Sequence, residues 1–217
     1  MASIAAVCEK IGRNPADITV LAASKYAEAK DTNLIIGEGI KLIGENRVQD
    51  AKQKFPLLQP VRKHFIGHLQ QNKVKAAVEL FDCIESVESV ELAQKIDQES
   101  QKQKKHMPVY LEINIAGDSK KFGLAPEKVL GFLREISELT NIKVEGFMTI
   151  VPFFNNAEET RPYFREIKGL FDLCSHEFPT HKVLSMGMSH DYRIAIEEGA
   201  NEIRIGSLLF KENTSTN

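Results

Sequence analysis

Short runs of β-branched and apolar residues alternate along this chain with longer stretches in which apolar residues recur every three or four positions. The short runs cover 18–25 (ITVLAASK), 41–46 (KLIGEN), 64–68 (HFIGH), 82–87 (DCIESV), 109–115 (VYLEINI), 144–150 (VEGFMTI), 182–188 (KVLSMGM) and 202–208 (EIRIGSL), and each predicts a strand. Between them, 27–37, 48–55, 72–81, 90–104, 126–139, 157–178 and 190–199 carry helical spacing. Pro126 lies just inside one helix start, and Gly37 and Gly199 stand at helix ends. Only Lys211 to Asn217 follow Phe210, so no eighth helix fits there; an amphipathic stretch at 3–11 is expected to take that place from the other end. Strand ends from Lys25 to Gly206 fall about 26 residues apart, a normal βα repeat. The pattern predicts an α/β fold of the (β/α)8 TIM type. A doubly wound sheet has the same alternation, but no G-x-G-x-x-G follows the first strand and no G-x-x-x-x-G-K-[ST] occurs.

Composition narrows the function classes. The 217 residues, 42% hydrophobic and 27% charged, fit a single domain over 1–217 with its own core. Lys and Arg number 28 against 30 Asp and Glu, which leaves no cationic surplus for a nucleic-acid partner. No apolar run approaches the ~20 residues of a membrane helix, and Met1 to Lys10 has no basic leader, so neither a bilayer nor export is expected. Cys8, Cys83 and Cys174 are odd in number and widely spaced, as in a reducing compartment, and the cytoplasm is the expected location. No heptad or long apolar edge is evident, and a monomer is expected.

In a βα barrel the reactive groups lie at the C-terminal ends of the strands. Lys25 closes the first run; facing inward, its amine would leave water at the barrel mouth, where desolvation disfavours the charged form and a neutral amine attacks a carbonyl to give an imine. The plainer reading is a lysine reaching from a strand end to solvent. Ser185, Met186, Gly187, Met188 and Ser189 end the seventh run and lead into a helix near His190, while Arg204, Gly206 and Ser207 end the eighth. Both segments suit a phosphate: glycine allows close approach, helix-start N–H groups are unsatisfied, and serine adds donors. Alternatively, Ser189 simply caps the helix. Arg204 shares a strand face with Gly206, and inside a barrel it needs an acceptor, either a carboxylate such as Glu45 or Glu112 or the ring nitrogen of a cofactor. His64 and His68, four apart on a strand, would stand about 13 Å from each other, too far to share one metal ion.

Taken together, Leu21-Ala-Ala-Ser-Lys25, Ile43-Gly-Glu-Asn46 with Val48-Gln49, His64-Phe-Ile-Gly67 with Leu69-Gln70 and Asn72-Lys73, Ser119-Lys120 with Gly123, Gly146-Phe-Met148, Leu184 to Ser189 and Arg204-Ile-Gly206 resemble the pyridoxal phosphate homeostasis (YggS/PROSC) family. The resemblance implies a barrel like the N-terminal domain of alanine racemase. It also implies pyridoxal 5′-phosphate held as an internal aldimine on Lys25, with Arg204 at the pyridine nitrogen and the phosphate among Ser185–Ser189 and Gly206-Ser207. Asn46, His64 and Met148 would line the pocket. A fixed cation at the pyridine nitrogen leaves the ring a poor electron sink, and racemases of this fold carry a second β domain that this sequence is not expected to have. The resemblance therefore implies a carrier or buffer that serves apo-enzymes and has little turnover, with an amino-acid racemase or lyase as the alternative.

Overall fold

The computed structural model describes residues 2–210. Its eight strands pair side by side, all parallel, into a closed barrel in chain order: β1 Thr19–Ala23, β2 Leu42–Glu45, β3 Arg62–Phe65, β4 Cys83–Val87, β5 Met107–Ile113, β6 Ile142–Thr149, β7 Val183–Met188 and β8 Glu202–Ile205. Closure runs from Thr19 opposite Glu202 to Ala22 opposite Ile205. The connecting helices are α2 Ala29–Gly37, α3 Val48–Lys54, α4 Val74–Leu80, α5 Val90–Lys102, α6 Val129–Glu135, α7 Arg161–Glu177 and α8 Tyr192–Glu197. Helix α1 (Ala2–Lys10) joins the outer helices, packed against α8. It lies on α8 through the Tyr192 hydroxyl on Ser3 (2.9 Å) and a Lys10–Glu197 ion pair (3.0 Å), while Arg13 donates to the Ile196 and Ala200 carbonyls. The expected fold is the one found. Of the expected span 1–217, residues 1 and 211–217 lie outside the described ones.

Strand bounds are where the reading shifts. The third strand begins two residues earlier than its run suggests, at Arg62 opposite Leu42, and stops at Phe65. Beyond it Gly67 crosses the Asn46 backbone so closely that a Cβ would lie 2.3 Å from the Asn46 carbonyl oxygen. His68 is therefore a loop residue, and the two histidines do not share a strand face. The first and eighth strands end at Ala23 and Ile205, which leaves Lys25, Gly206 and Ser207 in the loops of the mouth.

Alternation along the strands sorts side chains into two interiors. Ala22, Ile43, Phe65, Ile84, Val109, Leu111, Phe147, Leu184 and Ile203 face outward and join the helices in one apolar core. The other face fills the barrel, and it is strongly polar. Cys83, Tyr110 and Met148 pack there against Val183, among the buried His64, Glu85, Ser185, Glu202 and Arg204. The Tyr110 hydroxyl lies 3.5 Å from Glu202 Oε2. Burial, reinforced by the charge of Glu85, pushes Glu202 from its ordinary 4.5 up to about 8.

Two outcomes are expected. Gly67→Ala should lower stability by about 1–3 kcal/mol, because a methyl group there meets backbone that cannot swing aside; urea unfolding checks this, and an unchanged midpoint would contradict the contact. Because Glu202 holds its proton more tightly in the folded state, its contribution to stability is intact below pH 4.5 and is lost as pH rises towards 8, by at most about 1.4 kcal/mol per unit. The melting temperature of Glu202→Gln relative to the parent should therefore climb between about pH 5 and 8.5. A difference that stays flat would mean that Glu202 is already ionised in the fold.

Candidate functional site

Lys25 stands two residues past the end of β1, in a turn closed by the Ala27 N–H on the Ser24 carbonyl (2.9 Å). Beyond the strand, Lys25 lines a surface hollow that it shares with Asp50, Gln53 and Lys54 of α3. Its side chain is exposed and leans onto Tyr26, with Nζ 5.1 Å from the ring centre. A second lysine meets the same strand end from outside. Lys54 of α3 donates to the Ser24 carbonyl (2.6 Å) and pairs with the fully buried Glu45, which also accepts from Ser24 Oγ (2.8 Å). Lys54 is thus committed to holding β1 in place, and the amine of Lys25 has no hydrogen bond or ion pair among the described residues.

The next feature spans the loops after β7 and β8. Gly187 has φ +90, and a Cβ there would lie 2.4 Å from Ala195 Cβ, so only glycine lets β7 turn this tightly onto α8. Asp191 Oδ1 accepts from the Met188 N–H (2.6 Å), and the Asp191 N–H returns to the Met188 carbonyl (3.1 Å). This turn delays the helix to Tyr192, so Ser189 does not cap it. Its hydroxyl instead accepts from the Gly206 N–H (3.3 Å) and ties the two loops together. Gly206 lies against the end of β1, where a Cβ would be 3.6 Å from the Ala23 carbonyl oxygen. The backbone N–H groups of Ser189, His190, Ser207 and Leu208 donate to no acceptor among the described residues. Unpaired N–H groups on two neighbouring loops are the donor set that a phosphate takes.

Below these loops lies Arg204, 5% exposed. Nη1 donates to Ser185 Oγ (2.8 Å) and Nη2 to the Thr149 carbonyl (2.7 Å). Neither Glu45 nor Glu112 pairs with it. Glu45 is on the far side of the barrel wall with Lys54, and Glu112 is pushed up to about 7 by burial and by Glu88, with Arg204 pulling the other way. Arg204 Nε makes no hydrogen bond among the described residues.

The remaining expected residues divide by depth. His64 and Met148 are 1% exposed and belong to the floor. His64 Nδ1 meets Glu85 Oε1 at 2.7 Å, and burial holds its ring down at about 4. The Met186 side chain faces the helices, whereas Met188 is exposed. Asn46 is half-buried and lines a cavity of about 400 Å³ with Arg47, Gln49, His68 and Lys73. Across the mouth, His68 pairs with Glu88 (3.0 Å) and stacks on Phe122 (3.6 Å), while the Gly123 N–H donates to Glu88 (2.7 Å).

Glu85 and Glu202 are the members of the site that the sequence reading did not single out. Glu85 stands in the middle of an otherwise apolar-centred strand, an anomaly visible in DCIESV. His64, Glu85 and Glu202 bring ligand atoms within 4.8 Å of one another, a spacing open to a metal ion. Both oxygens of Glu85 are already taken by His64 and Ser185, and a guanidinium one hydroxyl away opposes a dication.

The alanine racemase N-terminal domain family matches residues 15–214. A pyridoxal phosphate homeostasis protein of Aquifex aeolicus is 40% identical over 208 residues, 94% of this chain and 91% of the relative. Its counterpart in Helicobacter pylori is 36% identical over 199 residues, 90% and 88% of the two chains. PipY of Synechococcus elongatus, solved with PLP bound, has a TM-score of 0.84 at 31% identity and covers 95% of this chain and 99% of its own. Alanine racemase of Clostridium difficile, at 16% identity and a TM-score of 0.77 over 99% of this chain and 57% of its own, shares the fold. No helix among the described residues is long and apolar enough to cross a membrane. With matches this extensive, the chain belongs to the pyridoxal phosphate homeostasis protein family, built on the alanine racemase N-terminal domain.

Proposed function

We propose that this protein holds pyridoxal 5′-phosphate as an internal aldimine on Lys25 and acts as an intracellular carrier or buffer of that cofactor. The observation that carries the reading is the donor set at one edge of the mouth. Four N–H groups of the β7 and β8 loops, without an acceptor among the described residues, lie beside the end of β1, and Arg204 of β8 lies below them. Those loops take the phosphate, with Ser189 and Gly206 keeping them together, and Gly187 leaving room where β7 turns. Arg204 faces the pyridine nitrogen, over a floor of His64 and Met148. Lys25 leaves Tyr26 and swings over the mouth to reach the aldehyde carbon; Lys54 does not compete, since Glu45 and Ser24 occupy it.

Bound pyridoxal phosphate supplies an electron sink, and an arginine at its ring nitrogen weakens that sink because a guanidinium does not give up a proton. This favours storage and delivery to apo-enzymes over carbanion chemistry. A monomer in the cytoplasm suits that role.

The test is the ultraviolet–visible spectrum of the purified protein before and after borohydride, with Lys25→Ala alongside. A visible band should bleach on reduction and leave a pyridoxyl group on the peptide containing Lys25, and Lys25→Ala should lack the band. A colourless protein that also takes up no added pyridoxal phosphate overturns the reading. Turnover of amino acids well above the rate with free cofactor would replace the carrier with a racemase or lyase.

A further inference from the structure

We propose that Glu85 is the positioning residue for Arg204: reaching across the barrel through Ser185, it balances the charge of the guanidinium and fixes the orientation in which Arg204 meets the cofactor ring. The inference rests on the cofactor reading above and assigns a role to a residue that this reading leaves unused.

The geometry starts from an imbalance. Arg204 is buried, and both of its hydrogen-bond acceptors, Ser185 Oγ and the Thr149 carbonyl, are neutral. A buried cation without a counter-charge is costly. The counter-charge lies one hydroxyl further on, where Ser185 Oγ donates to Glu85 Oε2 at 2.9 Å. A serine hydroxyl has a single proton. Given to Glu85, it leaves only lone pairs for Arg204 Nη1, so the relay has one direction, from guanidinium through hydroxyl to carboxylate. Strands β4 and β7 stand on different sides of the barrel, so this contact spans its interior rather than a strand pair.

Glu85 is itself immobilised. With the carboxylate ionised, the proton of His64 lies on Nδ1 and donates to Oε1 at 2.7 Å, and the His64 ring stands edge-on to Tyr110 at 5.8 Å. Both oxygens are therefore held, by donors from opposite sides. The other ionisable groups around Glu85 contribute no charge near neutral pH. Burial keeps His64 unprotonated and holds Cys83, Tyr110 and Glu202 protonated. Glu85 itself is pushed up by burial to about 7, with Arg204 and Ser185 drawing it back. Ionised Glu85 therefore faces Arg204 across a single hydroxyl, with no other carboxylate hydrogen-bonded to the guanidinium among the described residues. Thr149 completes the setting: its carbonyl takes Nη2, and its own hydroxyl donates to the Ile113 carbonyl (2.7 Å).

Glu85→Gln keeps the shape but removes the charge, and an amide N–H turned towards Ser185 would reverse the hydroxyl and set it against Arg204. Ser185→Ala breaks the same relay by deleting one oxygen while keeping the carboxylate. Both variants and the parent are titrated with pyridoxal 5′-phosphate, and the bound band is followed against pH, with melting curves as a check on folding. For each variant Kd should rise about tenfold, equivalent to roughly 1.4 kcal/mol. In Glu85→Gln the pH midpoint of the band should also fall, because an unbalanced guanidinium disfavours a second positive charge on the imine nitrogen. If Glu85→Gln does not fold, the rise in Kd for Ser185→Ala decides. A loaded parent with folded variants that keep its Kd and midpoint overturns this inference alone. A parent that takes up no pyridoxal phosphate overturns the cofactor reading and this one with it.

Discussion

A guanidinium buried inside a barrel has to be answered, and much of this molecule follows from how Arg204 is answered. Its charge is met indirectly through Ser185 and Glu85, and its second nitrogen by the Thr149 carbonyl. That demand draws four strands, β4, β6, β7 and β8, into one hydrogen-bonded group. It also explains why the barrel interior is polar while the apolar core lies outside, between barrel and helices. A wholly apolar filling would be easier to fold, since buried polar networks are tolerated only when their members are satisfied. Here a few atoms stay unpaired, among them His64 Nε2 and Glu202 Oε1. Burial keeps both groups neutral near neutral pH, so the floor carries little uncompensated charge.

The mouth follows a different economy, in which backbone supplies the chemistry and side chains hold the backbone still. Asp191 closes the turn after β7, Ser189 links it to Gly206, and the glycine at 187 permits the close approach of α8. On the next strand end, Lys54 and Glu45 fix the residue before Lys25 from the helix side. Lys25 stands exposed immediately beyond that anchored residue.

Much of this was legible in the sequence. The alternating periods gave the strand count, the helix ring and the place of α1, because each βα unit encodes its own burial pattern locally. The ends of strands were less legible: β3 stops at Phe65 because Gly67 meets Asn46, a contact between segments that the pattern of either one does not contain. The local sequence allows Ser189 either a phosphate or, as the plainer alternative, a helix cap, and Asp191, two residues on, takes the turn before Ser189 can cap it. Ser185 fell within a phosphate-like segment by sequence, but its hydroxyl turns to a carboxylate 100 positions away. Glu85 was visible as a charge in an apolar-centred run, yet its partner depends on barrel closure, which no local period specifies.

The rim of the mouth is unevenly sewn. On the β3–β5 side, His68, Glu88, Phe122 and Gly123 link three successive loops by an ion pair, a stacked pair of rings and a backbone hydrogen bond. On the β1–β8 side, Tyr26 and Leu208 stand in solvent, and no comparable link crosses between their loops among the described residues. The opening therefore has a jamb and a free edge, and Lys25 stands exposed at the free edge.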